Sequence, residues 1–516
     1  MSRLTRAAVM AAFSYVQFGF AIITGIVLVP LMLHQLGARE YGLWLASGEL
    51  VGYAAIVDLG VLGVLPWMLA EADGRGDHPA MRTLLTSGLL VGAIVGLAYA
   101  VIVGVLWILL PSLLHLSAAD RALLTRPLAI VVIATIIGYP FRAFSAVLSG
   151  MQDVVFNGIL TTAELLAGVA ITVVMLLKGS GLYALAIAFA VPALVVNVAS
   201  AIRVAWVAPH LLTGWTRPTV AGVRHLLANG IGVWFGMFGW QLIAASNNMV
   251  IACLGRPEWV PIYACTSKVS AMCAQIAWVL PDSGLIGLAQ LHGEPQSKPR
   301  IAPVVNAMLR LHLLLAGGAA CVVLAFNPAF VTRWVGAGFF GGLTLNALLA
   351  AGIISASLVH GLVAAASVLG NRLKVGIVTL ATGGAQLVCA VALGYAFGLV
   401  GIAVAALATA LLISAPAGVV LLRPAASLGF GALLRDLLGP WLMRLAPLAA
   451  FAAAIGAVGE TLGIWIAGPI AGAIGLLYIW QMRSLFEHLP LDPRWERWLV
   501  SLRLLPKLAA APVEPL

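Results

Sequence analysis

Ionisable side chains lie inside the long apolar runs of this 516-residue chain, where a charge is costly. They are Glu49, Asp58, Arg142, Glu164, Lys268, Asp282 and Arg310. A cation in such a position can bind an anion, and the planar guanidinium of arginine suits phosphate. A carboxylate in the same surroundings can carry a proton or bind a cation. The residue types therefore indicate a site that binds an anion and couples to an ion.

Arg310 is the first candidate for an anion-binding cation, because it lies about nine residues into its predicted helix, with His312 nearby. The alternative is that it pairs with a carboxylate on a neighbouring helix. Lys268 and Arg142, which follows Pro140, are the other two candidates. Each of these two could instead extend its charge to the membrane surface.

Three carboxylates are candidates for ion coupling. Asp58 could bind a coupling cation, pair with an arginine or hold a helix junction. Glu164 lies near the middle of its predicted helix, beside Thr161 and Thr162, and could be a proton carrier or a paired structural side chain. Glu49 lies nine residues before Asp58. At about 100° per residue, these two point to opposite faces of a straight helix.

Neutral side chains and cysteines complete the candidates. Gln241, Asn247 and Asn248 on one predicted helix suit sugar hydroxyls, or else form hydrogen bonds between helices. Asp282 follows Pro281 and is predicted to cap a kink. All five cysteines fall inside apolar runs without the spacing of a metal site, so no metal site and no disulfide framework is predicted.

The composition indicates the elements that position these residues. Hydrophobic residues make up 62% of the chain and charged residues 9%, with a mean hydropathy of +1.07. So few charges could not cover the surface of a soluble protein, which excludes most soluble enzyme classes. A bilayer-spanning helix needs about 20 apolar residues, and the continuous runs are too long for strands of a membrane barrel. The predicted spans are 8–33, 42–66, 84–111, 127–149, 156–177, 182–205, 227–253, 260–285, 301–326, 342–369, 375–397, 400–422, 444–460 and 462–482.

Lysine and arginine predict the orientation of these helices. With the N-terminus inside, the inner segments hold about three times as many of these residues as the outer loops. Both termini are therefore predicted to be cytoplasmic, with an uncleaved first helix. The net charge of +10 then reflects topology, and no nucleic-acid partner is expected.

The chain divides into two similar halves. LGARE at 36–40 and LGRPE at 254–258 follow the first and seventh predicted helices, which suggests a parallel repeat. The predicted segments are an N-terminal lobe (1–205), an inter-lobe cytoplasmic loop (206–226), a C-terminal lobe (227–422), two further helices (423–482) and a cytoplasmic tail (483–516). The tail is predicted to form an amphipathic helix on the inner leaflet or, alternatively, a polar extension.

Several local patterns resemble one family. They are LGAREYGLW (36–44), DLGVLGVLPWMLAE (58–71), LSGMQDVVFNGIL (148–160), PIYACTSKVS (261–270), RWVGAGFF (333–340) and AFGLVGIAVAALAT (396–409). In this order they resemble the polysaccharide transport proteins, the O-antigen and exopolysaccharide flippases of the multidrug/oligosaccharidyl-lipid/polysaccharide exporter superfamily. Asp153 departs from the pattern, because a basic residue is expected after Gly-Met-Gln.

The resemblance implies an all-α, MATE-like membrane protein with two six-helix lobes around a cavity and two C-terminal helices. It implies alternating access that moves a polyprenyl-pyrophosphate-linked oligosaccharide to the outer leaflet of a bacterial cytoplasmic membrane. Arg310, Lys268 and Arg142 would hold the pyrophosphate or an anionic sugar. An ion gradient or membrane potential would supply the energy, without a cofactor. Membrane lipids and the polysaccharide polymerase or export machinery are the expected partners.

Three alternatives stay open. A multidrug or cation antiporter of the same superfamily shares the fold, although cations within the spans favour an anionic substrate. A lipid II flippase acts on a related lipid-linked sugar. A polytopic glycosyltransferase or polymerase is disfavoured, because the outer loops are short and no catalytic motif occurs in the sequence. The chain is therefore predicted not to be an enzyme.

Overall fold

The computed structural model describes residues 3–58, 60–213, 220–282, 284–293, 298–426 and 429–486, and these residues form helices and short connections without a strand. The all-α prediction is confirmed. The helices are α1 (Arg3–Ala54), α2 (Val61–Gly74), α3 (His78–Leu113), α4 (Ala118–Gly150), α5 (Val154–Leu177), α6 (Tyr183–Val207), α7 (Val220–Ala245), α8 (Asn247–Cys253), α9 (Trp259–Asp282), α10 (Gly284–Gly293), α11 (Lys298–Trp334), α12 (Leu343–Leu369), α13 (Arg372–Thr409), α14 (Ala415–Ala426), α15 (Phe430–Ala432), α16 (Gly439–Ala457), α17 (Gly459–Leu462) and α18 (Ile464–Phe486).

Ten helical segments within the described residues are long and apolar enough to cross a membrane. One of them, Arg372–Ala426, has 55 residues and contains two predicted spans. Gly398 divides it, because its φ of 61° and ψ of −139° are not helical. Helices α7 and α9 lie where two further spans were predicted. About fourteen membrane helices are therefore compatible with the structure.

The second predicted span, 42–66, is not one straight helix. Helix α1 contains a kink at Gly37 (φ 77°, ψ 164°) and runs on to Ala54, and a 3-10 turn then covers Ala55–Asp58. Gly60 has a φ of 73°, which disfavours any residue with a side chain. A Cβ atom at Gly60 would also lie 2.6 Å from the carbonyl oxygen of Gly230. The opposite-face argument for Glu49 and Asp58 applies to a straight helix, so it does not apply to this interrupted segment.

The seventh predicted span, 227–253, is also interrupted. Helices α7 and α8 are separated at Ser246, whose hydroxyl donates to the carbonyl of Leu242 at 2.5 Å. The break exposes backbone N–H groups at the start of α8, which need acceptors. The polar run Ser246-Asn247-Asn248 lies at this point of the sequence, although the predicted span continued through it.

The chain forms two compact units. The first comprises Met1–Pro261 and Thr379–Leu387. In it α4 packs against α3 and α6, and α5 packs against α1 and α6. Its core includes Leu65 and Leu85, together with the edge-to-face pair Tyr99 and Tyr139, whose ring centroids are 5.5 Å apart.

The second unit comprises Ile262–Val378 and Val388–Leu516. Helix α11 lies at its centre and packs against α12, α16 and α18. The buried Trp441 of α16 donates its Nε1–H to the Tyr478 hydroxyl of α18 at 3.0 Å, and that hydroxyl lies 3.4 Å from the Leu313 carbonyl oxygen of α11. These contacts dock the C-terminal pair of helices on α11.

Because α16 and α18 pack closely on α11, a single methyl group added at Gly317 is expected to lower the stability of the protein. A Cβ atom there would overlap the Tyr478 hydroxyl and would lie 2.7 Å from Trp441 Cζ2. We expect Gly317→Ala to destabilise the protein by about 1–3 kcal/mol, the usual range for overpacking. Thermal unfolding in detergent measures this, with Gly352→Ala as control, because a Cβ atom at Gly352 meets nothing within 4 Å. Equal melting temperatures for the two variants would contradict the expected result.

The matching glycines of LGARE and LGRPE share one backbone feature. Gly37 and Gly255 both adopt positive φ, at 77° and 75°. The predicted tail helix lies outside the described residues, apart from the end of α18.

Candidate functional site

A cavity of about 610 Å³ lies within the first unit, among α1, α3, α4, α5 and α6. Most of its wall is formed by leucine, valine and other apolar side chains. Its polar lining consists of Thr24, Tyr99, Thr135, Arg142, Glu164 and Thr172. Ligand pockets commonly enclose about 300–1,000 Å³ and combine apolar walls with a few polar groups. The cavity has the size and composition of a ligand site.

Arg142 is the cation of this cavity. Its side chain is exposed, and its guanidinium carbon lies 4.7 Å from the centroid of the Tyr139 ring. A cation over an aromatic face is attracted by the ring and is held in orientation by it. Within the described part of the chain, Arg142 has no ion pair. The guanidinium therefore keeps its hydrogen-bond donors available to a ligand.

Glu164 lines the same cavity as Arg142, and the two interact electrostatically without direct contact. Helix α5 places Glu164 near its midpoint, as the sequence predicted. The neighbouring Thr161 and Thr162 are engaged elsewhere, because their hydroxyls accept hydrogen bonds from Gln17 Nε2 at 2.7 and 3.1 Å. The structure thus brings a predicted anion-binding residue and a predicted coupling residue into one cavity.

Asp58 lies near Arg142, but its carboxylate binds a backbone N–H group. Its carboxylate accepts the Gly60 N–H at 2.9 Å, and it also interacts electrostatically with Arg142. It does not line the cavity. Of the three roles considered for Asp58, the contacts favour holding the helix junction.

Glu49 and Asn248, predicted to serve different roles, bind each other. The Glu49 carboxylate accepts Asn248 Nδ2–H at 2.6 Å and the Met249 N–H at 2.8 Å. It therefore satisfies donors in the first turn of α8, at the break after Ser246. Gln241 lies on α7, facing Gly52 of α1, since a Cβ atom at Gly52 would meet its Nε2 at 3.6 Å.

Arg310 and Lys268 belong to the second unit. Arg310 lines a smaller cavity of about 160 Å³ with Asn306 and Asp436. Asp436 is itself bound by the exposed Arg435 at 2.9 Å. Lys268 is half-buried on α9 and has no ion pair among the described residues. Neither cation lines the cavity that contains Arg142. Arg310 lines the smaller cavity, and Lys268 lines neither of the two.

An ion-pair cluster near the LGARE segment was missed by sequence reasoning. Arg39 donates to Asp120 from Nε at 3.3 Å and from Nη2 at 2.8 Å, and to Glu258 from Nη1 at 2.5 Å. Ser117 caps α4 and also donates to Asp120. The repeated glycine and glutamate of the two motifs were the only sequence signal, and they did not predict this contact.

Asp153, which departs from the family pattern, forms an ion pair with Arg203. Its carboxylate accepts from Arg203 Nε at 2.9 Å, and the Arg203 guanidinium lies over the Phe156 ring at 5.1 Å. The acidic residue at 153 is therefore paired within its own unit.

Asp282, which the sequence predicts to cap a kink, is bound by a histidine from a distant helix. Helix α9 ends at Asp282, and the carboxylate lies 2.9 Å from His360 Nε2 of α12. Sequence spacing gave no sign of this, because His360 lies 78 residues away.

Comparison with solved structures identifies the fold. The structure superimposes on the lipid II flippase MurJ, in an inward closed conformation, with a TM-score of 0.66 and 12% identity, over 92% of this chain and 99% of that chain. It superimposes on an inward-facing multidrug resistance MATE family transporter of the MOP superfamily with a TM-score of 0.64 and 14% identity, over 79% of this chain and 94% of that chain. It superimposes on an outward-facing MATE family transporter of the same superfamily with a TM-score of 0.57 and 13% identity, over 82% of this chain and 95% of that chain.

The chain has a MATE-like fold. No protein-family model and no curated protein matches its sequence. The expected fold class is thereby confirmed for a multi-pass membrane protein of this architecture. The similar structures are those of a lipid II flippase and of multidrug resistance transporters.

Proposed function

We propose that this protein is a flippase that moves a polyprenyl-pyrophosphate-linked oligosaccharide from the inner to the outer leaflet of a bacterial cytoplasmic membrane. The observation that carries the proposal is Arg142, an arginine without an ion-pair partner among the described residues, at an apolar-walled cavity of about 610 Å³. The headgroup of such a lipid is anionic and hydroxyl-rich, and it cannot cross hydrocarbon alone.

The chemistry of the cavity suits an amphiphilic anion. An arginine presents a planar set of donors that matches phosphate oxygens. Thr24, Thr135 and Thr172 add neutral groups for hydroxyls, and the leucine and valine walls suit apolar parts of the ligand. A site for an organic cation would be expected to hold carboxylates without a competing guanidinium.

Glu164 supplies a means of ion coupling in the proposal. When Glu164 is ionised it compensates the charge of Arg142, and when it is protonated the guanidinium is free to attract an anion. Binding of the headgroup would then follow proton uptake at Glu164, and proton release would favour dissociation. Asp58 and Glu49 remain weaker candidates for coupling, because each already accepts backbone hydrogen bonds.

The remaining predicted residues have secondary places in the proposal. Arg310 and Lys268 are proposed to contact the anion at other stages of alternating access. Gln241, Asn247 and Asn248 are proposed to contact sugar hydroxyls. The proposal retains lobes at 1–205 and 227–422, with both termini cytoplasmic, and a polymerase or export machinery as the acceptor of the product.

Two related functions are alternatives to this proposal. A lipid II flippase is favoured by the match to MurJ, which covers 92% of the chain against 79% for the inward-facing drug transporter. The substrates of the two flippase hypotheses share a polyprenyl-pyrophosphate-linked sugar. A multidrug antiporter is favoured by the presence of Glu164 in the cavity, but the guanidinium beside it opposes a cationic substrate.

The test is a strain lacking the gene, in which lipid-linked oligosaccharides are identified and assigned to the inner or outer leaflet. We expect one of them to accumulate in the inner leaflet and to be moved outward again when the gene is restored. Accumulation of lipid II would identify the alternative flippase. Normal leaflet distributions of every such lipid would refute flipping and leave drug or cation export to be measured.

The role of Glu164 is tested in the same strain. We expect Glu164→Gln, which is permanently neutral, to bind substrate but to reduce flipping by at least about tenfold, since release no longer follows deprotonation. Glu71→Gln is the control, because Glu71 is exposed and pairs with the exposed Arg75, four residues along the chain. Wild-type flipping by Glu164→Gln would contradict coupling at this residue.

A further inference from the structure

Three side chains of the second unit meet outside both cavities. Asp282 ends α9, His312 lies in α11 and His360 lies in α12. Their ligand atoms all lie within 4.8 Å of one another. His360 Nε2 lies 3.1 and 2.9 Å from the two carboxylate oxygens of Asp282, and His312 Nε2 lies 3.8 Å from one of them. Two imidazoles and a carboxylate are a common donor set for zinc.

His312 is the decisive residue of this cluster. Its side chain is fully buried, at 0% exposure, and its Nε2 atom has no hydrogen-bond partner among the residues that the structure describes. Its Nδ1 atom lies 2.9 Å from the Met308 carbonyl oxygen, which can only accept, so Nδ1 carries the hydrogen. In the neutral ring, Nε2 then presents a lone pair toward Asp282. A buried polar atom without a partner is costly, and a metal ion would satisfy it.

The surrounding groups hold both rings in place. Histidine ligands of metals usually donate their second N–H to a carbonyl or carboxylate, as His312 does to Met308. The His360 ring stacks on Trp278 with centroids 4.3 Å apart and planes 7° apart. Trp278 in turn donates Nε1–H to Ser357 Oγ at 2.9 Å, one turn before His360 on α12.

The backbone of α12 also approaches the site closely. A Cβ atom at Gly361 would lie 3.0 Å from His312 Nδ1 and 3.2 Å from its Cε1. A methyl group at Gly361 would therefore require the His312 ring or α12 to shift by a few tenths of an ångström. The two imidazoles are positioned by packing as well as by hydrogen bonds.

We propose that Asp282, His312 and His360 bind one divalent transition-metal ion of the zinc class, joining the end of α9 to α11 and α12. Zinc takes nitrogen ligands at about 2.0–2.1 Å and carboxylate oxygens at about 2.0–2.2 Å, so tetrahedral ligand atoms lie about 3.3–3.5 Å apart. A shift of about 1 Å brings the three ligands to that spacing. Asp282 and His360 are 34% and 25% exposed, which leaves a path for the ion and room for water as the fourth ligand.

Binding of the metal ion releases a proton from only one of the three ligands, His360. In the metal-free arrangement the hydrogen on His360 Nε2 is donated to Asp282, and that proton is released as the metal takes its place. His312 Nε2 already has a lone pair. Imidazole ligands select zinc-like ions over magnesium, calcium and sodium, which prefer oxygen.

The experiment uses the full chain, purified in detergent without a histidine tag and treated with a chelator. Titration with Zn²⁺ is expected to show one tight equivalent, and X-ray absorption at the zinc edge to show two imidazoles and one carboxylate. Mg²⁺ and Na⁺ are expected not to compete. Absence of stoichiometric Zn²⁺ binding by the wild-type protein would overturn the proposal without any substitution.

Substitutions test the assignment of the ligands. We expect His312→Ala, His360→Ala and Asp282→Ala each to weaken Zn²⁺ binding by more than the about 10- to 100-fold that loss of an outer hydrogen bond causes. Zn²⁺ should raise the melting temperature of the wild type but not of these variants. His292→Ala is the control, because His292 is an exposed histidine at the end of α10. If His292→Ala loses binding and the three variants keep it, the ion is bound at the surface and the proposal fails.

Discussion

Replacing Arg142 with glutamine is expected to reduce flipping by about 10- to 100-fold while the protein still folds. Hydrogen bonds to a charged group contribute about 1.5–3 kcal/mol, and 2.8 kcal/mol corresponds to a factor of about 100. The side chain is exposed to the cavity and has no ion-pair partner among the described residues, so its removal leaves no carboxylate stranded. Leaflet-resolved measurement of the lipid-linked oligosaccharide, normalised to the amount of protein, gives the rate.

One further substitution separates the charge of Arg142 from its geometry, and a second, at Arg121, serves as the control. Arg142→Lys keeps the charge but loses the planar set of donors, so we expect intermediate activity. Arg121→Gln is the matched control, because Arg121 is an exposed arginine on the same helix and does not line the cavity. Wild-type flipping by Arg142→Gln would remove the proposed site from the first unit, and Arg310→Gln and Lys268→Gln would then be tested in its place.

The second large effect is expected at Gly42 of α1. A Cβ atom there would overlap the Pro257 carbonyl oxygen and would lie 3.2 Å from Pro261 Cδ. Gly42→Val therefore prevents α1 from packing against the turn that follows α8. We expect flipping to fall by about 5- to 140-fold, because overpacking costs about 1–3 kcal/mol and each 1.4 kcal/mol is a factor of ten.

The steric contact at Gly42 is expected to matter more than the neighbouring Arg39–Glu258 ion pair. Arg39 and Glu258 are about half exposed, and an exposed pair contributes only about 0–1 kcal/mol. Glu258→Ala leaves the buried Asp120 paired with Arg39, and it should therefore have a smaller effect on flipping than Gly42→Val.

Thiol labelling measures whether the Gly42 contact has opened. With Cys253 as the remaining cysteine, we expect Gly42→Val to increase its reaction with a membrane-impermeant maleimide, since Cys253 ends α8. Gly19→Val is the control, because a Cβ atom at Gly19 meets nothing within 4 Å. Unchanged labelling and flipping in Gly42→Val would show that this contact has no part in transport.

The sequence by itself determined the fold class and the pool of candidate residues. Apolar runs of about 20 residues separated by arginines require membrane helices, because in lipid every backbone N–H and C=O must be paired within its own segment. Within such runs each charge is conspicuous, so the sequence alone identifies Arg142 and Glu164 as candidates. It does not predict that they share a cavity, since α4 and α5 are placed by packing across the unit.

Helix breaks and long-range pairs were decided by the tertiary structure alone. The predicted spans continued through Gly60 and Ser246, but Gly60 adopts a positive φ and Ser246 separates two helices. Arg39 meets Glu258 across 219 residues, and His360 meets Asp282 across 78. Hydropathy is a property of one segment, whereas these contacts depend on which faces of distant helices are buried against each other, and only packing of the whole unit sets that.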